Sequence, residues 1–568
     1  MNNSVTQSPI RVNHVGFTPQ AGKRFVLTDN KTGDDTFAVY WLYECDKKPK
    51  EVYRGKLVPA DEENGLWSGD FSEVTQPGDY FIRAGGYTSR YFLIYEKVYE
   101  QLSRILLSYF TYQRCGCDLG WAGRCHLDDG IIKETGEHVD LSGGYHQSGD
   151  LRKSPGGVSV GVLGMLRYAL KDRSLWGKTL FEDEVRWACD YYVKNIQENG
   201  AMYNTLNTPF GWGARTFYKS AAPSSAQWCT TSILTLGSVY FKDKDQERSA
   251  KYLSAALRSW EYMNGPDRSY ERYDHPDPTP RGMDMPNVYF ACKRNNTADA
   301  AYMAVVAADL YRATGERGYL DYVKKGADKL ISLMGEGDAA MCVQLDDDDA
   351  HLAFMCSNYA HSNGGFMALC AACESLENNE VYLEALRKIA VSICKLARKN
   401  PWFIYRSAYS DADLDMVFGH PAPGRYLPSQ RELLGQVRYI GSIGKDENEI
   451  KCYTPTETGS IRVTPLTVST AGVFLMRAAK LLGDREIGAV AQSQIDAILG
   501  CNCHDASHVN GVGQNQISHR PYGQFFPPVP HIPGAINVGV KRIDYTADAE
   551  YDMPCVGMFM FLLSEYLD

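Results

Sequence analysis

The hydrophobic period of this chain changes once, near Val98, and that change limits what each part can fold into. Residues 8–95 read with period two. Short β-branched and aromatic runs (Arg24–Thr28, Phe37–Tyr43, Glu51–Leu57, Tyr80–Arg83, Arg90–Tyr95) are separated by turn signals such as Asp29-Asn30 and Gln76-Pro77-Gly78-Asp79. Strands this short at near-regular spacing predict a β-sandwich of immunoglobulin-like size. Beyond Val98 the apolar residues recur at helical spacing, as in Ala300, Met303, Ala304, Ala307 and Tyr311. Helices are predicted over about 98–114, 158–171, 182–198, 229–241, 250–263, 298–314, 319–334, 363–377, 381–399, 464–482, 486–499 and 554–567. Gly315 and Gly483 act as stop signals.

These twelve helices pair naturally into six hairpins. A ring of six inner and six outer helices, an (α/α)6 barrel, buries them all. A helical solenoid is the alternative, weakened by the lack of a fixed-length repeat. The expected architecture is therefore multidomain: an immunoglobulin-like β-sandwich over 8–95, followed by an all-α (α/α)6 barrel over 96–568. Tyr95-Glu96-Lys97 is too short a linker for independent motion, so the sandwich is expected to pack on the helices.

Composition removes several function classes. A net charge of −10 without a Lys/Arg run argues against nucleic-acid binding. No apolar stretch reaches the length of a membrane span. The 16 cysteines are irregularly spaced across 568 residues, which reads as buried thiols in a reducing compartment rather than a disulfide framework. Met1–Val5 lacks the charged and apolar regions of a signal peptide. The expected location is cytoplasmic; the alternative is a secreted or periplasmic protein whose signal has been removed. Long inter-helix segments at 199–228, 264–297, 335–362, 400–463 and 500–553 are rich in Trp, Tyr, His, Arg and Asp, and read as ordered, ligand-facing loops.

The chemistry concentrates in one of the shorter segments. Gly143-Gly144-Tyr145-His146-Gln147-Ser148-Gly149-Asp150 puts a histidine four residues before an aspartate in a glycine-rich loop. Upstream lie Cys115-Gly116-Cys117 and Cys125-His126. Two thiolates and two imidazoles can hold one zinc ion and staple the loop that presents Asp150. Asp150 can also be read as an N-cap for the helix predicted at 158–171. Asp346-Asp347-Asp348-Asp349 offers oxygen ligands for Ca²⁺, or is a solvated turn. Nothing calls for an organic cofactor.

Six ordered segments carry a resemblance. They are Ile10–Phe17, Tyr112–Gly116 with Cys125–Asp129, Ser142–Asp150, Leu499–Asn502, Val509–Gly513 with Ser518-His519-Arg520, and Pro533-Gly534-Ala535. Together the chain resembles glycoside hydrolase family 9, the inverting cellulase family, in the version with an N-terminal immunoglobulin-like domain. The resemblance implies a structural zinc on Cys115, Cys125, His126 and His146, with Cys117 a substitute for Cys115. It implies Asp150 as catalytic base and His519 and Arg520 as sugar contacts. Trp212 and Trp402 sit in long loops and read either as platforms that stack on sugar rings or as hydrophobic anchors of those loops. The family loop carries two aspartates three residues apart, and this chain has Gln147 at the first. An amide can hydrogen-bond the attacking water but cannot take its proton. The general acid is assigned to Glu550, with Asp548 and Asp552 as lesser candidates; a gapless alignment on Pro554 would instead put Thr546 there.

The function these readings imply is inverting hydrolysis of β-1,4-linked glucan or derived oligosaccharides. The alternatives are an exo-acting β-glucosidase or β-glucosaminidase on short oligosaccharides, a non-catalytic carbohydrate-binding protein, and a scaffold protein. The partner expected is an oligo- or polysaccharide, with no nucleic acid and no membrane.

Overall fold

The computed structural model describes residues 8–43, 48–119, 123–132, 134–148, 151, 153–172, 174–205, 216–218, 224–268, 296–354, 363–415, 429, 431, 437–444, 449–455, 465–516, 532–536 and 551–567. The chain forms two compact units, Met1–Tyr109 with Ile393–Arg406 and Thr458–Glu565, and Phe110–Ser392 with Ser407–Glu457 and Tyr566–Asp568.

The first unit opens with nine strands: β1 (Ile10–Arg11), β2 (Gly16–Phe17), β3 (Arg24–Leu27), β4 (Thr36–Leu42), β5 (Lys50–Asp61), β6 (Leu66–Asp70), β7 (Gly78–Ala84), β8 (Tyr87–Thr88) and β9 (Phe92–Ile94). Their order is β1-β3-β6-β5-β4-β7-β9-β2, with β8 beside β7. The long strand β5 joins two layers. Its first half pairs with β4 and its second half with β6. Alternate residues of both layers fill one core that includes Phe17, Phe25, Phe37, Phe71, Tyr80 and Phe92. All five predicted strands are present. β6 was not predicted, because Leu66-Trp67-Ser68-Gly69-Asp70 looks like a turn. Gly69 is there for space: a β-carbon on it would fall 2.2 Å from the Phe25 ring.

The sheet shares its unit with the C-terminal helices. Asn13 donates to Asp496 at 2.9 Å, and the His14 N–H donates to the Leu499 carbonyl at 2.9 Å. Asp505 is a hub for the N-terminal segment: it meets Arg90 at 2.7 Å, His14 at 3.1 Å, Arg11 at 3.5 Å and the Ser8 N–H at 2.9 Å.

The longer described helices are α1 (Glu100–Tyr112), α2 (Pro155–Lys171), α3 (Leu175–Asn195), α4 (Ser224–Phe241), α5 (Gln246–Asn264), α6 (Asn296–Thr314), α7 (Tyr319–Ser332), α8 (Met367–Ser375), α9 (Glu380–Arg398), α10 (Pro465–Leu482), α11 (Arg485–Ile498) and α12 (Met553–Ser564). Each predicted helix has its counterpart here, and local chemistry sets several starts. The Asp245 carboxylate accepts the Arg248 N–H ahead of α5, and Asp484 accepts the N–H groups of Glu486 and Ile487 ahead of α11. Burial alternates along the chain. α2, α4, α6, α8, α10 and α12 are buried nearly all round, whereas α1, α3, α5, α7, α9 and the first half of α11 keep an exposed face.

The long segments hold structure that their sequence did not show. β10 (Ile131–Ile132), β11 (Asn204–Thr205) and β12 (Thr216–Tyr218) form one small sheet. β13 (Gln344–Asp346) and β14 (Asp349–Leu352) form a hairpin. β15 (Tyr409–Ser410), β16 (Val437–Ile443) and β17 (Ile450–Pro455) form a third sheet within the segment read as loop 400–463. The acidic run Asp346–Asp349 is the tip of the β13–β14 hairpin. Its carboxylates pair with Lys329 and His351 instead of converging on one point. Among the described residues it forms no cation site. No described helix is long and apolar enough to cross a membrane.

Candidate functional site

The site is built from three short backbone pairings in the second unit. Just past α1, residues 113–115 run beside 144–146. The Cys115 N–H donates to Gly144 O and the His146 N–H donates to Gln113 O, both at 2.8 Å. Residues 129–132 fold back on 137–141 through Gly130–Val139, Ile132–Glu137 and Leu141–Asp129 hydrogen bonds. His146 bridges antiparallel to Lys153. These pairings bring residues 115, 125–126 and 146 to one place although they are up to 31 positions apart.

Cys115, Cys125, His126 and His146 converge there, all buried, with their donor atoms within 4.8 Å of one another. The two sulfurs are 4.0 Å apart, Cys115 Sγ is 3.3 Å from His126 Nδ1, and Cys125 Sγ is 3.0 Å from His146 Nε2. Zinc–sulfur and zinc–nitrogen bonds of about 2.3 and 2.0 Å put tetrahedral ligand atoms roughly 3.3–3.8 Å apart. These three separations lie within about 0.5 Å of that range, so the four donors can gather on one Zn²⁺ ion. Four protein ligands leave no open position, so the metal they would hold is structural. Cys117 stands outside this group, half-buried, and does not substitute for Cys115. Without a cation the two thiols divide. The hydrogen bond from Cys115, with those to His126 and His146, holds the Cys125 thiol well below its ordinary range, while the same sulfur contact and burial push Cys115 well up. A cation between them would favour both thiolates.

The surroundings are unusually polar for a buried site. Gly144 sits at φ +72° against the face of Tyr191, where a β-carbon would lie 2.6 Å from the ring, so only glycine fits. Its carbonyl accepts from Trp187 Nε1 at 2.8 Å. Glu184 on α3 is 1% exposed and gathers Arg114, Tyr145 Oη and Thr111 Oγ1 at 2.7–2.8 Å. Burial and the Glu184 carboxylate push the Tyr145 phenol well above its ordinary range. Asp129 is buried: its carboxylate meets Lys153 Nζ at 2.8 Å with both side chains 0% exposed. Its neighbour Asp128 is exposed. Neither Glu184 nor Lys153 was singled out from sequence. Glu184 carried a weak signal, an acid three residues from Phe181 on the face of α3 that also buries Val185 and Ala188.

Gln147 follows the metal cluster directly and is half-buried. Ser148 and Leu151 are buried; Leu151 has φ 56°, a strained left-handed conformation for a leucine, and its N–H donates to Ser148 O at 3.3 Å. Asp150, between them in sequence, lies outside the described residues, as do Trp212, His519, Arg520, Asp548 and Glu550. Their flanks are described. Asn510 exchanges backbone hydrogen bonds with Gly534 and Ala535, which brackets in sequence the segment carrying His519 and Arg520. Gly534 is at φ +79°, and a β-carbon there would meet the Ile105 carbonyl oxygen at 2.0 Å. Asp552 is a buried N-cap residue of α12, ahead of Pro554. Trp402 is not a sugar platform. It is 6% exposed and packs in a core cluster with Val26, Ile404, Ala497 and Cys501.

Comparison with known proteins then places these observations. The profile described as glycosyl hydrolase family 9 matches residues 99–420, and that of the cellulase N-terminal Ig-like domain matches residues 5–89. A cellodextrinase of Butyrivibrio fibrisolvens is 27% identical over 287 residues, 44% of this chain and 51% of that protein. A xyloglucan-specific endo-beta-1,4-glucanase of Bacteroides ovatus is 25% identical over 36% of this chain and 40% of that protein. The chain thus matches about half or less of the length of these curated relatives. Among solved structures, a Bacteroides ovatus GH9 protein superposes with a TM-score of 0.65 at 18% identity, covering 98% of both chains. A Zn-binding triple mutant of the family 9 endoglucanase J30 gives 0.64 at 16% identity, covering 97% of this chain and 99% of that one. The fold, an Ig-like N-terminal domain followed by a helical family 9 domain, is shared with them.

Proposed function

Because the chain belongs to glycosyl hydrolase family 9, we propose that it hydrolyses β-1,4-linked glucan or oligosaccharides derived from it, with inversion at the anomeric carbon. The observation that carries this reading is the frame of the loop 146–153. His146 at one end joins the four-ligand cluster, Lys153 at the other is locked on Asp129, and Ser148 and Leu151 between them are buried. Such a frame is what a carboxylate held for chemistry requires. The alternation of buried and half-exposed helices supports the finer reading of the helical part as six hairpins in an (α/α)6 barrel.

In this account Asp150 takes a proton from the attacking water. Gln147 accepts or donates a hydrogen bond to that water but leaves the proton to Asp150. Glu550 protonates the departing glycosidic oxygen. An inverting pair holds its carboxyl groups roughly 6.5–9.5 Å apart so that the water fits between base and sugar. His519 and Arg520 bind sugar hydroxyls, Arg520 through its planar donor fork. The metal supplies no step; bound to Cys115, Cys125, His126 and His146 it fixes the backbone that enters the loop.

Gln147 favours a second reading, a carbohydrate-binding protein without turnover. Incubating the protein with cello-oligosaccharides and glucosamine oligomers separates the two. The hydrolase reading expects shorter products, lost in Asp150→Asn and in Glu550→Gln. Saccharide binding without products from any substrate would favour the second reading. Turnover that survives Glu550→Gln would move the acid to another residue.

A further inference from the structure

Lys153 is a fully buried cation, three residues past the proposed base. All its polar reach is used. Nζ donates to Asp129 Oδ2 at 2.8 Å and to the Leu141 carbonyl at 2.5 Å, and it lies 5.0 Å from the centre of the Tyr191 ring. The same Tyr191 ring backs Gly144. Through these contacts Lys153 joins three segments: the 129–132 strand that follows Cys125 and His126, the return strand ending at Leu141, and the far end of loop 146–153. Its own backbone pairs with His146, a metal ligand.

A buried ion pair is a poor way to gain stability. Desolvating both charges costs about as much as their attraction returns, and an apolar pair of similar volume is often as stable or more so. What an ion pair provides is position, because its hydrogen bonds are satisfied in one geometry only. The metal cluster fixes the start of the loop at His146. The His146–Lys153 backbone bridge closes the loop on itself, and the Lys153 side chain alone carries its far end on to Asp129 and Leu141.

We propose that Lys153 is a positioning residue. The buried Lys153–Asp129 pair fixes the far end of loop 146–153 against the metal-bearing segment, and so sets where Asp150 stands. This rests on the reading of Asp150 as the base. A displacement of about 1 Å in such a group costs on the order of 100-fold in rate.

The test uses the full-length protein with Lys153→Met, Asp129→Asn and the double variant, measuring kcat, KM, zinc per chain and Tm. Each single variant leaves a buried charge or amide without its partner and lowers Tm. The double variant removes both charges and recovers most of the stability. The proposal expects the double variant to keep its zinc while kcat stays down on the order of 100-fold and KM changes less than about twofold. Recovery of kcat together with Tm would show a purely structural pair and overturn the proposal. Loss of zinc in step with kcat would assign the pair to the metal and overturn it as well. If the wild type turns over no substrate, the hydrolase reading fails separately. The positioning claim then stands on amide hydrogen exchange over residues 147–152: faster exchange in the double variant supports it, and unchanged exchange refutes it.

Discussion

His146 Nε2 lies 3.0 Å from Cys125 Sγ, across 21 residues of sequence and between two buried side chains. This contact ties the glycine-rich loop to the Cys125-His126 segment. It is one edge of the four-donor cluster, so a metal held there would belong to the scaffold of the site rather than to its chemistry.

The purified protein should therefore contain about one zinc per chain. Cys125→Ser and His146→Ala should each lose it and lower stability by several kcal/mol, since buried ligands are left without their cation. Elemental analysis and thermal unfolding with and without chelator check this. A zinc-free protein of unchanged Tm would contradict it.

Asp505→Ala should destabilise the first unit by about 3–5 kcal/mol, because it strands Arg11, Arg90 and His14 around a lost carboxylate. Although burial acts to raise it, hydrogen bonds from His14 and Arg90 hold the Asp505 carboxyl below its ordinary range. Its contribution is thus present above the ordinary carboxylate pKa and is lost as the pH falls below it. Acid titration of Tm for wild type and variant reads this out; parallel curves would contradict it.

Asp496 has the opposite sign. Burial, opposed by hydrogen bonds from Gln492 and Asn13, pushes its carboxyl from 3.8 up to about 7. Between those values the native state keeps a proton that the unfolded state has released, so stability falls as pH rises from about 4 to about 7. Asp496→Asn retains an acceptor for both amides and removes that slope. The gain above pH 7 is on the order of 4 kcal/mol at most, taking about 1.4 kcal/mol per pKa unit. Denaturant unfolding at pH 5 and pH 8 gives the comparison; an unchanged slope in the variant would rule this out.

Gln147→Ala should lower kcat about tenfold, the value of one hydrogen bond to a positioned water, with little change in KM. Equal kcat in the two proteins would remove Gln147 from the site.

Much of this was readable from the chain. The 3.6-residue period gave every long helix, because amphipathic and fully apolar helices both leave a local pattern. The four metal ligands were readable because cysteine and histidine are rare and chemically specific. β6 was hidden by Gly65 and Gly69: Gly65 closes the preceding turn at φ +66°, whereas Gly69 lies inside the strand and makes room for the Phe25 ring. The β15–β17 sheet was hidden because β15 is a distant two-residue strand and the mixed polar residues of β16 alternate weakly. Asp129 and Lys153 were unreadable for a different reason. A charged residue looks exposed until its partner is known, and here the partner is 24 residues away. Trp402 shows the converse: a tryptophan in a long segment could be a sugar platform or a hydrophobic anchor, and its burial selects the anchor.

The central claim is inverting hydrolysis, and proton NMR of the first product formed from a cello-oligosaccharide tests it most directly. The account predicts that the new reducing end appears first as the α-anomer and then mutarotates, and that Asp150→Asn abolishes the signal. A β-anomer as first product would contradict inversion, and undiminished turnover in Asp150→Asn would remove the base from the loop on which the account is built.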